Sequence, residues 1–258
     1  MASSMLQPHY PPLLLAFLTQ TARFHPRFLE HKNNDPIAIA DFYAEATIRQ
    51  MGFDFLSGAT LEKVQALLLL GYHEWTALQG SKGWLRIGGA IRAAQLLQLH
   101  TDADRDDGRK SADIEGEDRL SGKDQFILRE TRRRTFWSCC LLDRYLSWGQ
   151  DRPPMIKHGD FRVQLPCSDG AFNYGRKVRT RFLGEDDAAY EKRRENLRKP
   201  AEHHNDGQHG LNRSFQMGSR VDDIKWEVGD TEDELTWYMS VVDLFGDITK
   251  WSSDGGRR

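Results

Sequence analysis

An all-α fold is what this 258-residue sequence predicts, and three observations predict it. Apolar residues recur at helical spacing in successive stretches, several of them opened by capping or proline signals. Period-two alternation is confined to the short "FRVQL". The segments between the apolar stretches are charged or contain glycine, as helix connections do.

The elements follow in chain order. Residues 13–29, "LLLAFLTQTARFHPRFL", put Leu14, Phe17, Leu18 and Thr21 on one face, with Pro11 and Pro12 as a start and Pro26 as a stop. In "NNDPIAIADFYAEATIRQM", Asp35 is a candidate N-cap, Pro36 the first helical residue, and Ile39, Phe42, Tyr43 and Ala46 the apolar face. Thr60 caps the clearest helix, whose stripe is Leu61, Val64, Leu67, Leu68, Tyr72 and Trp75. After "QGSKG", read as an interhelical turn, residues 84–99 form its partner. Gly88, Gly89, Ala90, Ala93 and Ala94 there permit close helix approach.

Residues 101–124 carry charges and almost nothing apolar, which predicts a solvated loop. A long helix is expected from about Gln125 to Trp148, stopped by "GQDRPP" because proline cannot continue the hydrogen-bond ladder. Residues 11–174 are taken as the domain core, 175–230 as a charged, disordered linker, and 231–252 as a further helix of the same domain. That last helix calls for packing partners, so the domain is expected to be incomplete at one or both ends.

A formal net charge of −2 with 29% charged residues offers no global basic field for a polyanion. A hydrophobic fraction of 39% fits a chain that is partly unpacked. Three cysteines, two of them adjacent, form no even disulfide framework and suit a reducing compartment, cytoplasm or nucleus. The N-terminus lacks a basic region before its apolar centre, and no run approaches the length of a membrane span, so no membrane partner is expected.

Catalytic and metal constellations fail on spacing. Cys139, Cys140 and Cys167 give no C-x2-C, "HEW" at His73 lacks a second histidine, and "HHNDGQH" around His203 is at best a weak chelator. Cys140, on an apolar helical face, reads as inert core rather than as a nucleophile. "GSKGWLRIGGA" is not a phosphate loop and follows no strand. No catalytic residue, cofactor site or metal site is therefore assigned, and the chain is expected not to be an enzyme.

The densest stretch is "ETRRRTFWSCCLLDRYLSWGQDRPP", residues 130–154. Successive helical residues point about 100° apart, so Arg132, Arg133 and Arg134 cannot form one basic face. Glu130 lies within helical pairing distance of Arg133 and Arg134, and Asp143-Arg144 sits among Trp137, Tyr145 and Trp148. Charges in aromatic surroundings need partners, so a packing network is favoured over a DNA-reading helix. The basic runs "GRKVRTR" and "EKRRENLRK" fit nuclear localisation signals and solvated linker equally.

The order of these pieces resembles the regulatory, or middle-homology, domain of fungal-specific transcription factors of the xylanolytic-activator type. The family pattern is an acidic residue, arginines, an aromatic pair, Asp-Arg, Ser, Gly-Arg-Pro and a distal Asp before Leu-Pro. It falls here on Glu130, Arg133, Arg134, Phe136, Trp137, Asp143, Arg144, Ser147, Arg152, Pro153, Asp160, Leu165 and Pro166. Asp151 stands where the family usually has glycine. Family members typically add an N-terminal six-cysteine binuclear zinc cluster that binds DNA, and a dimerising coiled coil; neither is in this sequence.

The resemblance implies a nuclear transcriptional regulator. DNA and zinc enter by family implication alone. The transcriptional machinery or related factors are the implied partners, with a small-molecule effector as a further possibility. The alternative reading is a helical protein-interaction or small-molecule-sensing module, such as a truncated partner of full-length factors.

Overall fold

The computed structural model describes residues 11–52, 58–102, 120–148, 152–198, 225–228, 231–253 and 255–256. Among them are nine α-helices and two short strands, in the order α1 (Pro11–Thr21), α2 (Pro26–Glu30), α3 (Pro36–Met51), α4 (Leu61–Thr76), α5 (Gly80–Leu96), α6 (Gly122–Ser147), α7 (Asp169–Tyr174), β1 (Val178–Arg179), α8 (Asp187–Arg198), β2 (Lys225–Trp226) and α9 (Glu234–Ser253). The expected solvated loop falls largely on residues 103–119, outside the described residues, as does Asp151. The chain divides into two compact units.

The first unit comprises the chain up to Thr101, Thr131–Arg162 and the chain from Val241. Its helix starts follow from local chemistry. The Asp35 Oδ1 accepts from the amides of Ile37 (2.8 Å) and Ala38 (3.1 Å), with Pro36 behind it at the first helical position. The Thr60 Oγ1 accepts from the Lys63 amide at 3.2 Å and opens α4. Helices α1, α3, α4 and α5 pack around Ala16, Ile39, Leu67, Leu70, Ile87 and Ile91, all essentially excluded from water.

Helices α4 and α5 form the expected pair, but the turn between them is shorter than the sequence suggests. α5 begins at Gly80, so Gly80–Gly83 is helix rather than loop. The reason is Gly83: a Cβ there would lie 2.9 Å from the Gly71 carbonyl oxygen of α4 and 3.2 Å from the Trp75 nitrogen. Glycine at that point lets the two backbones touch. The turn itself is carried by Leu78 at φ 60°, with the Gln79 amide donating to the Glu74 carbonyl at 2.8 Å.

The second unit comprises Asp102–Glu130 and Val163–Ser240. The first turn of α6 is set by Ser121, whose Oγ accepts from the Asp124 amide (3.2 Å) and donates to its carboxylate (2.7 Å), so the helix starts before Gln125. Phe126, Cys167, Ala171 and Val178 form a small core, and β1 pairs with β2 in parallel.

Part of the expected disordered linker forms secondary structure, β1 and α8. Within residues 175–198, α8 is capped by Asp186, whose Oδ1 accepts from the Ala189 amide at 2.7 Å. Arg193 of α8 donates Nε and Nη2 to the two Glu185 oxygens, both at 2.8 Å, and Nη2 also reaches the Thr180 carbonyl. Its guanidinium lies 4.6 Å from the Phe182 ring centroid and 5.0 Å from that of Trp226. A charged residue thus does what apolar residues usually do, which is why composition mistakes this segment for linker. Residues 199–224, including the histidines around His203, lie outside the described residues.

Candidate functional site

The motif residues of the first unit cluster where α6 ends and the chain turns back. Phe136 and Trp137, adjacent in sequence, are both buried and both meet Phe161, at 5.3 and 5.5 Å between ring centroids. Two turns later Asp143, only 2% exposed, accepts from the amides of Met155 (3.1 Å) and Ile156 (2.8 Å). Arg144 completes the grip, donating Nη1 to the Ile156 carbonyl at 2.7 Å and Nη2 to Asp243 of α9 at 3.4 Å. Asp143 and Arg144 are therefore a clamp on the backbone after α6, and only secondarily a pair, at 3.8 Å. Burial raises the Asp143 pKa, partly offset by the two amides and by Arg144.

The three arginines part company. Arg132 donates to the Leu97 carbonyl at the end of α5 (2.8 Å), Arg133 is buried, and Arg134 is half-buried. The middle arginine, at 4% exposed, is not presented to solvent with its two neighbours. Ser147 is half-buried with its Oγ enclosed and unbonded among the described residues. Arg152 donates to Ser81 at 3.3 Å with its guanidinium 5.4 Å from the Trp84 ring, whereas Pro153 and Asp160 are exposed.

The remaining motif residues belong to the second unit. Glu130, fully buried, accepts from the Cys167 amide at 2.9 Å. Leu165 and Pro166 are buried, and the Pro166 carbonyl accepts from Thr236 at 3.1 Å. The motif residues thus make separate anchoring contacts.

Sequence reasoning missed several acids with the same use. Asp102 accepts from the Gln164 amide (2.8 Å), Glu227 from the amide and hydroxyl of Ser168 (2.8 and 2.7 Å), and Asp233 from the Asp169 amide (2.8 Å). Their partners lie some sixty residues away in sequence, beyond any local spacing rule.

The cysteines are core. Burial, reinforced by the Asp143 carboxylate, pushes the Cys139 thiol from its ordinary 9.0 to about 12, and burial lifts Cys140 well above that ordinary value. Neither supplies a thiolate near neutral pH. No group of three or more metal-ligating side chains gathers among the described residues, and none of their helices is long and apolar enough to cross a membrane. The basic runs are also partly consumed: Arg181 pairs with Asp187 (2.7 Å) and Glu232 (3.1 Å), and Arg193 with Glu185.

A family model described as the fungal specific transcription factor domain matches residues 2–217. The chain belongs to that family. It is 41% identical over 118 residues to the Zn(2)-C6 fungal-type transcription factor FTF1c of Fusarium oxysporum f. sp. lycopersici, a match covering 45% of this chain and 12% of that protein. An uncharacterized transcriptional regulatory protein of Schizosaccharomyces pombe is 34% identical over 153 residues, 59% of this chain and 14% of that protein. Transcription factor tazR of Aspergillus terreus is 34% identical over 125 residues, 48% and 18% respectively. The chain spans well under a quarter of the length of these relatives in the matched region. No solved structure matches. This is a domain of transcriptional regulators, and its mostly helical architecture agrees with the all-α expectation.

The zinc cluster that the family resemblance implies does not fit the residues present. Cys139 and Cys140 are neighbours on one helix with raised pKa values, Cys167 is buried in the other unit, and three thiols cannot supply a six-cysteine cluster.

Proposed function

We propose that this chain is the regulatory domain of a nuclear transcriptional regulator, acting through protein contacts and not through DNA reading or catalysis of its own. Residues 11–174 are its core and 231–252 a further helix of the same domain. The observation that carries this reading is the use of the arginine-rich motif. Arg132, Arg133, Asp143 and Arg144 are spent on holding the fold, which leaves recognition to other surfaces. DNA contact and zinc, where they matter, then belong to a zinc-cluster module outside these residues or in a partner.

The test fuses the chain to a heterologous DNA-binding domain on a nuclear reporter. Altered transcription, abolished by Asp143→Ala, is the expected result. A fusion that is expressed, nuclear and without effect on the reporter overturns the reading. Stable co-purification with zinc-cluster factors in that case would favour the interaction-module alternative.

A further inference from the structure

Helix α1, wholly within the first unit, carries no charged residue. Its three polar side chains all donate to backbone carbonyls: Thr19 to Leu15 (3.1 Å), Gln20 to Leu69 of α4 (2.9 Å) and Thr21 to Phe17 (3.0 Å). Pro12, Ala16 and Thr19 are buried on its inner face. On the opposite face Leu14 and Phe17 are 56% and 52% exposed, and Phe24, in the 3-10 turn Ala22–Phe24 that continues the helix, is 80% exposed. With Thr21 these recur at steps of three, four and three residues, which makes one stripe. A helix that is apolar all round is normally covered.

At the C-terminal end of the stripe the charge is nearly all of one sign. Residues 22–32 bring Arg23, His25, Arg27, His31 and Lys32 against the single acid Glu30. His25, Arg27 and His31 are exposed, and the next acid, Asp35, is spent on the cap of α3. We propose that this face receives an amphipathic helix of another polypeptide, apolar along one side, acidic in its first turn and antiparallel to α1. Apolar anchors at i, i+3, i+4 and i+7 match the stripe. Acids are favoured in a helix's first turn, and the antiparallel course sets them beside Arg27. A second copy of α1 would bring no acid to that basic end. Area points the same way: side chains of this size and exposure remove roughly 300–400 Å², about half or less of the ~800 Å² per partner of a stable interface, so the contact is transient. This inference goes beyond the transcriptional reading, which the reporter assay tests separately.

Fluorescence anisotropy of the full chain with a labelled synthetic helix of about 18 residues, Asp and Glu in its first turn and Leu or Phe at the anchor positions, reads the contact directly. A Kd of roughly 10–100 μM is expected, rising several-fold between about 50 and 300 mM salt. The same peptide with lysines in its first turn should bind about tenfold more weakly. Leu14→Ser with Phe17→Ser should abolish binding and Arg27→Glu should weaken it about fivefold, each with an unchanged far-UV spectrum. Leu85→Glu, on the exposed side of α5, should leave binding unchanged. The proposal is overturned by an acidic peptide that shows no saturable binding up to about 1 mM, by equal binding of the lysine peptide, or by binding that survives the two serines. Self-association of the chain, or its capture by phosphatidylserine vesicles, that is lost in the Leu14→Ser, Phe17→Ser chain would also overturn it by giving the stripe to a different occupant.

Discussion

Replacing Asp143 by Ala tests whether the Asp-Arg motif is a backbone clamp. The substitution strands two amides. The Ile156 N–H, bonded at 2.8 Å, is fully buried, and the Met155 N–H, at 3.1 Å, is partly so. Hydrogen bonds to charged groups contribute about 1.5–3 kcal/mol each, and an unmade buried donor costs about 1–3 kcal/mol. Against that loss stands the relief of no longer burying a carboxylate, whose pKa burial has raised. The net expected loss is about 2–3 kcal/mol, read from urea denaturation followed by circular dichroism. Asp143→Asn keeps one acceptor and carries no charge, so its loss should be smaller. The pH dependence has a definite sign. Because the folded pKa is raised, the stability Asp143 contributes is fully present below the ordinary 3.8 and falls as pH rises through the raised value. Wild type should therefore lose stability relative to Asp143→Asn as pH climbs through that window. An Asp143→Ala chain within about 0.5 kcal/mol of wild type would refute the clamp.

Two further outcomes follow from packing and from burial. Gly83→Ala should destabilise by about 1–2 kcal/mol despite a helix-propensity gain of about 1 kcal/mol, because its Cβ meets the backbone of α4; Gly71→Ala should destabilise as well, since its Cβ would lie 2.5 and 2.8 Å from Cδ1 and Cγ1 of the fully buried Ile87. Unchanged denaturation midpoints would count against this close packing of α4 on α5. Cys139, Cys140 and Cys167 should resist a thiol reagent at pH 8 in the native protein and all react in urea. Fast labelling of the folded chain would contradict their burial.

The sequence made the helix starts legible wherever one residue decides them. Asp35 with Pro36, and Thr60, are caps because their side chains answer amides two or three residues away. Cys140 as core was equally readable from its place on an apolar face. The start of α5 was not, because Gly83 is helical only by virtue of α4 against it. Nor was α8: Arg193 and Glu185 look like solvated charges until Phe182 and Trp226 close over the guanidinium. Of the motif charges expected to serve packing, Arg133 is buried, and the distant partners of the others have no place in a local spacing rule. Asp243, reached by Arg144 across 99 residues, carries no local signal.

The acids show why so charged a chain folds. From Met155 to Ser168 the backbone forms no helix, and its amides, with that of Asp169 at the start of α7, need acceptors that secondary structure does not supply. Carboxylates supply them within each unit: Asp143 for Met155 and Ile156 in the first, and Asp102, Glu130, Glu227 and Asp233 for Gln164, Cys167, Ser168 and Asp169 in the second. An ionised oxygen accepts more strongly than a carbonyl, so each contact fixes a stretch of irregular chain without a neighbouring strand. The prolines respect this arrangement. Pro153, Pro154 and Pro166, which have no N–H to give, stand immediately before the amides that Asp143 and Glu130 take. The proline at 166 therefore shapes the chain at Cys167 without removing a donor that a buried carboxylate requires, and the same holds for the pair before Met155.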